Sequence, residues 1–304
     1  MSIARAAEIL RRGGLVVFPT ETVYGLGADA TNPKAVAGIF EAKGRPRFNP
    51  LIAHVLDLAA AEQHAELPQN ARDLAQRFWP GPLTIVCRRK VDSTVSELAC
   101  AGLATIALRA PAHAMARELL VAFDGPIVAP SANRSGQVSA TTAQHAAEDL
   151  AGRVDLVLDG GPTTIGLEST IVAFDESGAA ALLRAGAIPR ADIEAVTGAL
   201  ATPHAGAVAA PGMLESHYAP RAALRLNADA PRAGEAYLAF GAPAPSGGLT
   251  LSATGDLVEA AANLYAHLRA LDASGANTIA VAPIPEHGLG EAIRDRLMRA
   301  AAPR

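Results

Sequence analysis

The chain has 304 residues, half of them hydrophobic but only 4% aromatic, and carries a net charge of −4. That length predicts one large core unit plus a smaller second one, packed with aliphatic rather than ring-rich material. The acidic balance excludes a protein that coats nucleic acid through bulk charge, so any RNA contact has to be local and weak.

Residues 2–12 place Ile3, Ala6, Ala7, Ile9 and Leu10 at helical spacing, with Gly13 and Gly14 as the stop. Arg5, Arg11 and Arg12 in the same stretch leave no apolar signal-peptide core, and nothing else reads as an export or membrane signal. A strand follows at 14–18, then a helix capped by Asn32, with Pro33 in its first turn, that ends at Gly44. Apolar runs at 51–55, 83–87, 104–108, 126–129, 155–158, 170–174 and 180–183 read as strands. Helical patterns lie near 69–78, 112–122, 142–150 and 190–197. This alternation predicts an α/β domain over 1–200 with a mixed, twisted sheet.

Residues 195–214 contain no charged side chain, but Gly198, Pro203, Gly206, Pro211 and Gly212 break any spanning helix. The expectation is a linker, with 201–220 joining the two units. Residues 221–304 give four strand-like runs, RAALRL, EAYLAFG, GLTLS and TIAVAPI, and helices at about 256–272 and 288–301. They form a small second α/β unit of Rossmann-like type that lacks a G-x-G-x-x-G turn, so dinucleotide binding has no support. Cys87 and Cys100 have no C-x-x-C spacing and fit buried thiols in a reducing cytoplasm.

Three segments concentrate polar chemistry. Lys43, Arg45 and Arg47 are spaced by two, so an extended backbone would put all three on one side, a charge density suited to a triphosphate or a leaving pyrophosphate. The alternative is a solvated basic loop. PTETVYGLG at 19–27 leaves a strand end with Thr20, Glu21, Thr22 and Tyr24, while Gly25 and Gly27 permit close backbone approach; a polar strand-to-helix turn fits equally. APSANRSGQVSATT at 129–142 offers Ser131, Asn133 and Ser135 to a phosphate or ribose, with Thr141 able to cap the next helix, and a plain capping loop is its alternative. His54 lies in an apolar strand, where a lone histidine is more often a satisfied core residue than a catalyst. Glu168, Ser169 and Arg184 are single polar residues bordering strands. No histidine pair has zinc spacing, and neither G-x-S-x-G nor a Walker loop occurs.

Taken together and in order, PTETVYGLG, KGRPRFNPLIAHV, FWPGPLTIV, TIALRAP, APSANRSGQVSAT, GLESTIV and LLRAG resemble the YrdC-like family over roughly residues 5–220. HYAP at 217–220 and the C-terminal unit resemble its long two-domain form, the L-threonylcarbamoyladenylate synthases. The resemblance implies a large twisted sheet around a concave, positively lined cavity. It also implies synthesis of threonylcarbamoyl-AMP from L-threonine, bicarbonate and ATP with release of pyrophosphate. A downstream tRNA threonylcarbamoyl transferase complex would use the product next to the anticodon.

Carried over by motif position, Thr22, His54, Arg109, Ala129 and Ser169 would surround threonine, the arginine facing its carboxylate. Arg45, Asn49, Thr105, Ser131, Ser139, Arg184 and Tyr218 would hold ATP. Lys43 with Arg45, and Ser131 with Asn133, form the pairs associated with catalysis; position 49 varies between serine and asparagine in relatives. Magnesium is expected with ATP, held mostly through water, because the chain offers no carboxylate cage. By the same resemblance the linker folds back over the cavity and closes it. A carbamoyl-adenylate domain of the hydrogenase-maturation type would need zinc-finger cysteines that are absent, and a double-stranded RNA-binding cavity sits poorly with the acidic charge.

Overall fold

The computed structural model describes residues 2–201, 210–212 and 216–303. In chain order the first unit begins α1 (Ile3–Arg11), β1 (Val16–Phe18), β2 (Gly25–Asp29), α2 (Pro33–Lys43), β3 (Ile52–His54), α3 (Leu58–Glu62), β4 (Ala65–Glu66) and α4 (Gln69–Phe78). It continues β5 (Leu83–Arg89), β6 (Thr105–Arg109), α5 (Ala114–Phe123), β7 (Ile127–Val128), α6 (Ala143–Asp149), β8 (Leu156–Val157), β9 (Thr170–Phe174), β10 (Ala180–Arg184) and α7 (Arg190–Thr197). The second unit holds β11 (Ala223–Arg225), β12 (Ala236–Ala239), β13 (Leu249–Thr250), α8 (Leu257–Ala273), β14 (Thr278–Val281) and α9 (Leu289–Ala301).

Among the described residues the first sheet has ten strands, ordered β10-β9-β5-β6-β3-β7-β2-β1-β8 with β4 added on β5. It is mixed: β5 runs parallel to β9, β3 to β6 and β1 to β8, while β1/β2, β5/β6 and β9/β10 are antiparallel. Local chemistry sets the helix ends. The Asn32 side chain accepts from the amides of Lys34 and Ala35, Pro33 occupies the first turn, and Gly44 closes α2 in the left-handed region at φ +62°. The apolar face of α1 (Ala6, Ala7, Leu10) packs with Leu119, Leu120 and Phe123 of α5.

The sequence pattern missed β2, reading its glycines as a turn. The reason is close packing: a Cβ on Gly27 would lie 2.8 Å from the Phe18 ring, and one on Gly25 would lie 3.1 Å from Ala129. Glycines that make room for neighbours erase the alternation by which a strand is read. The short α3 and β4 were also unpredicted, being too brief to show a period.

The second sheet is wholly parallel, ordered β11-β14-β12-β13, and packs on α8 and α9. Its core joins Leu238, Leu264, Leu268, Ile293 and Leu297 to Val23, Val138 and Leu167 of the first unit, so the two units share buried apolar surface. Arg269 of α8 pairs with Asp149 and donates to the carbonyls of Val138 and Ser139. Within the expected linker, residues 202–209 and 213–215 lie outside the described residues. Cys87 and Cys100 are buried free thiols whose pKa burial pushes up to about 12 and about 11. Among the described residues no helix is long and apolar enough to cross a membrane.

The two units approach closely at Gly166. It has φ +74°, and a Cβ there would lie 2.5 Å from the Ala261 carbonyl oxygen of α8. Gly166→Ala is therefore expected to cost about 2–4 kcal/mol in urea unfolding, through overpacking plus the left-handed backbone. Gly152→Ala, at φ +71° with open space around it, is expected to cost only about 1 kcal/mol.

Candidate active site

A cleft opens where the carboxyl ends of β3 and β6 meet the loops after β1 and β7, the Glu168–Ser169 step into β9, and Arg184 at the end of β10. Pro211, Gly212, His217 and Tyr218 complete its wall. The structure brings Thr22, Arg45, His54, Arg109, Ala129, Ser131, Ser169, Arg184 and Tyr218 together there, from segments up to 196 residues apart in sequence.

One end is built around Arg109. Parallel register between β3 and β6 sets His54 beside it. Its guanidinium donates to Thr22 Oγ1 (2.9 Å), to the Gly81 carbonyl (3.3 Å) and to the Glu21 carboxylate, whose other oxygen accepts from the Ala112 amide (3.0 Å). Burial opposes ionisation of Glu21, but Arg109 and these hydrogen bonds outweigh it and hold its pKa below the usual range. Burial, reinforced by the Arg109 charge, pushes His54 down to about 3, so its ring is neutral. His54 Nδ1 has no hydrogen-bond partner among the described residues.

The other end holds two buried arginines. Arg45 donates to the carbonyls of Asn49 (3.2 Å) and Pro50 (2.9 Å), and burial lowers its pKa to about 10. Arg184 donates to the Ser169 carbonyl (2.9 Å), Ser169 Oγ (3.1 Å) and the Pro211 carbonyl (3.2 Å). Ser169 Oγ in turn shares a hydrogen bond with Thr84 Oγ1 (2.7 Å).

Other candidates sit behind the wall. Lys43, 2% exposed, donates to the carbonyls of Ser131 (2.6 Å) and Asn133 from beneath their loop. Burial, then the Arg45 charge, lowers its pKa well below the usual lysine range. Asn133 is fully buried; its amide donates to the carbonyls of Arg134 and Gln137 (both 2.8 Å), and Oδ1 is unpartnered among the described residues. Asn49 is fully buried with neither amide atom partnered. Ser139 donates to Glu168 (2.6 Å). Thr105 is not brought to the cleft: it begins β6, opposite the Arg109 end, and lines a separate surface depression with Arg88 and Glu176. The expected extended run of Lys43, Arg45 and Arg47 is also corrected. Lys43 closes a helix and Gly44 turns the chain left-handed, which buries Arg45 and leaves Arg47 exposed.

Sequence reasoning missed a node around Glu168. Its carboxylate accepts from Ser139 Oγ, from the Tyr265 hydroxyl (2.8 Å) and from Arg296 Nε (2.8 Å), the last two in the second unit. Burial raises its pKa, but Arg296, then Arg184 and the Ser139 hydroxyl, overcome that and bring it down to about 2. A signal existed: Arg296 falls on the α9 stripe of Ile293, Leu297 and Ala300, and an arginine at a core position demands a buried partner.

A family model covering Sua5, YciO and YrdC proteins, described as telomere recombination, matches residues 8–186. The chain belongs to this family. A second model, described as the C-terminal domain of threonylcarbamoyl-AMP synthase, matches residues 188–302. A threonylcarbamoyl-AMP synthase of Pyrococcus abyssi is 50% identical over 194 residues, covering 64% of this chain and 56% of the relative. One from Bacillus subtilis is 49% identical over 197 residues, with the same coverage. These matches span little more than half the length of the curated relatives. The crystal structure of Pyrococcus abyssi Sua5 complexed with L-threonine superposes with a TM-score of 0.90 at 39% identity, over 98% of this chain and 94% of that one.

Two buried histidines of this family member give stability a pH dependence. His54 and His217 both have pKa values lowered by burial to about 3, below the unfolded value near 6.5. The folded state therefore binds fewer protons than the unfolded one across that interval, and stability falls as pH drops below about 6.5. Each histidine is expected to contribute a slope of up to about 1.4 kcal/mol per pH unit. Urea unfolding between pH 7.5 and 5 measures it, and His54→Gln or His217→Gln should each flatten the slope.

Proposed function

We propose that the chain synthesises L-threonylcarbamoyl-AMP from L-threonine, bicarbonate and ATP, releasing pyrophosphate and water. A transferase acting on tRNA adenosine next to the anticodon would consume the product. The observation that carries this reading is the division of one cleft into two differently built ends. Arg109, Thr22 and neutral His54 offer a carboxylate fork, a hydroxyl and an uncharged ring to an amino acid, while Arg45 and Arg184 offer buried positive charge to a polyphosphate. Superposition on the threonine-bound Sua5 structure over nearly the whole chain supports the same assignment.

The chemistry asks little covalent work of the protein. Threonine's amine adds to CO₂ or bicarbonate, a carbamate oxygen attacks the α-phosphate in line, and the bond to pyrophosphate breaks as pyrophosphate takes up the charge. Positioning and neutralisation carry such a reaction. Lys43 acts from behind, fixing the Ser131–Asn133 loop against the nucleotide end. Magnesium would enter with the nucleotide. Among the described residues no acidic or histidine cluster suits a metal, and Glu21 and Glu168 are both occupied by arginines, so no step is assigned to protein-bound metal.

Pyrophosphate release by the purified full chain should require ATP, threonine and bicarbonate together, with serine a poor replacement for threonine. Release without threonine would overturn the reading. Lys43→Ala and Arg45→Ala are each expected to lower turnover on the order of 10²-fold to 10³-fold with an unchanged far-ultraviolet spectrum. Arg109→Lys, which loses the fork, should raise KM for threonine far more than KM for ATP.

A further inference from the structure

The Glu168 node poses an electrostatic problem. Glu168 lines the cleft as an ionised carboxylate, on the side where Arg184 stands. Left alone, it would repel an anionic nucleotide or capture Arg184 as its partner. Arg184 is not captured: Arg296 reaches across from α9, 1% exposed, and takes one carboxylate oxygen together with the Tyr265 hydroxyl. Arg184 is thereby left with carbonyl and hydroxyl partners only.

Arg296 does a second thing. Its guanidinium lies over the Tyr218 ring, 5.1 Å from the centroid, and Tyr265 stacks on the same tyrosine at 5.8 Å. Tyr218 sits in the left-handed region at φ +61°, a conformation that a bulky residue keeps only where its surroundings enforce it. Arg296 Nη1 also pairs with Asp295 of the same helix (2.7 Å), while Nη2 has no hydrogen-bond partner among the described residues. A charge buried at such cost is poor glue between domains, since an apolar side chain on the same stripe would pack without the desolvation penalty.

We propose that Arg296 is a positioning residue for the nucleotide end of the cleft: supplied by the C-terminal unit, it neutralises Glu168 and seats Tyr218, leaving Arg184 free of a carboxylate partner and available to phosphate. The assignment of phosphate to that end rests on the proposed synthase reading. The C-terminal unit then sets the charge of a site to which the first unit supplies most of the wall.

The test compares the full-length wild type with Arg296→Met and with Arg296→Met combined with Glu168→Gln. Calorimetry gives the affinities for ATP and for L-threonine, and pyrophosphate release is followed in parallel. Arg296→Met should weaken ATP binding by about tenfold or more while threonine affinity stays within about twofold. Adding Glu168→Gln should restore most of the ATP affinity, because the uncompensated carboxylate is gone; a merely structural role for Arg296 would instead lower the affinities for ATP and threonine together. Unchanged ATP affinity, equal losses for both ligands, or no recovery in the double variant overturns the proposal. Should Arg296→Met fail to fold, Arg296→Lys decides, since it retains the charge. ATP affinity within about threefold of wild type supports the role, and a tenfold loss shared by threonine overturns it. A wild type that binds ATP but releases pyrophosphate without threonine overturns the synthase reading and leaves Arg296 to be judged on binding. A wild type that binds no ATP overturns both.

Discussion

The cleft depends on keeping several cations buried side by side without letting carboxylates cancel them. Lys43, Arg45 and Arg184 meet this constraint in one way: each is satisfied by main-chain carbonyls, from Ser131 and Asn133, from Asn49 and Pro50, and from Ser169 and Pro211 respectively. A carbonyl removes the penalty of an unpaired donor while leaving the net charge for a ligand to feel. Helix interiors and paired strands spend their carbonyls internally, so irregular backbone and the ends of elements are where carbonyls remain for this purpose. The proline- and glycine-broken segments around the cleft are therefore the source of its electrostatics as well as its shape. Arg109 is the exception, paired with Glu21, and it stands at the end assigned to an amino acid rather than to a polyphosphate.

Much of this was legible in the sequence. Capping residues and apolar periods placed most of the longer elements, because Asn32, Pro33 and Gly44 act locally and need no tertiary context. The motif loops were recognisable as polar segments leaving strand ends, and most candidates drawn from them converge on one cleft. What could not be read was the role each polar group plays once buried. The even spacing of Lys43, Arg45 and Arg47 suggested one charged face, yet a helix terminus falls between them and sends Arg47 to solvent. β2 was hidden because its glycines answer to the bulk of Phe18 and Ala129, which lie near only in the fold.

The second unit shows the same limit over longer range. Arg296 and Tyr265 have no motif around them, and their partner Glu168 lies 128 and 97 residues away. Their meeting depends on how tightly the units approach, which a single glycine at 166 permits. The shared core of Val23, Val138 and Leu167 with the C-terminal helices makes that approach a matter of ordinary apolar packing. A charged node can then be set at the seam without having to supply the adhesion itself.

The burial of Lys43 has a chemical consequence of its own. A lysine with a lowered pKa is ordinarily a good nucleophile, and a threonylcarbamoyl-adenylate is a mixed anhydride that acylates amines. Lys43 is buried, donates to two carbonyls of the Ser131–Asn133 loop and does not line the cleft. Under the proposed reaction, the bonds that hold the loop in place would also keep the residue away from the activated product.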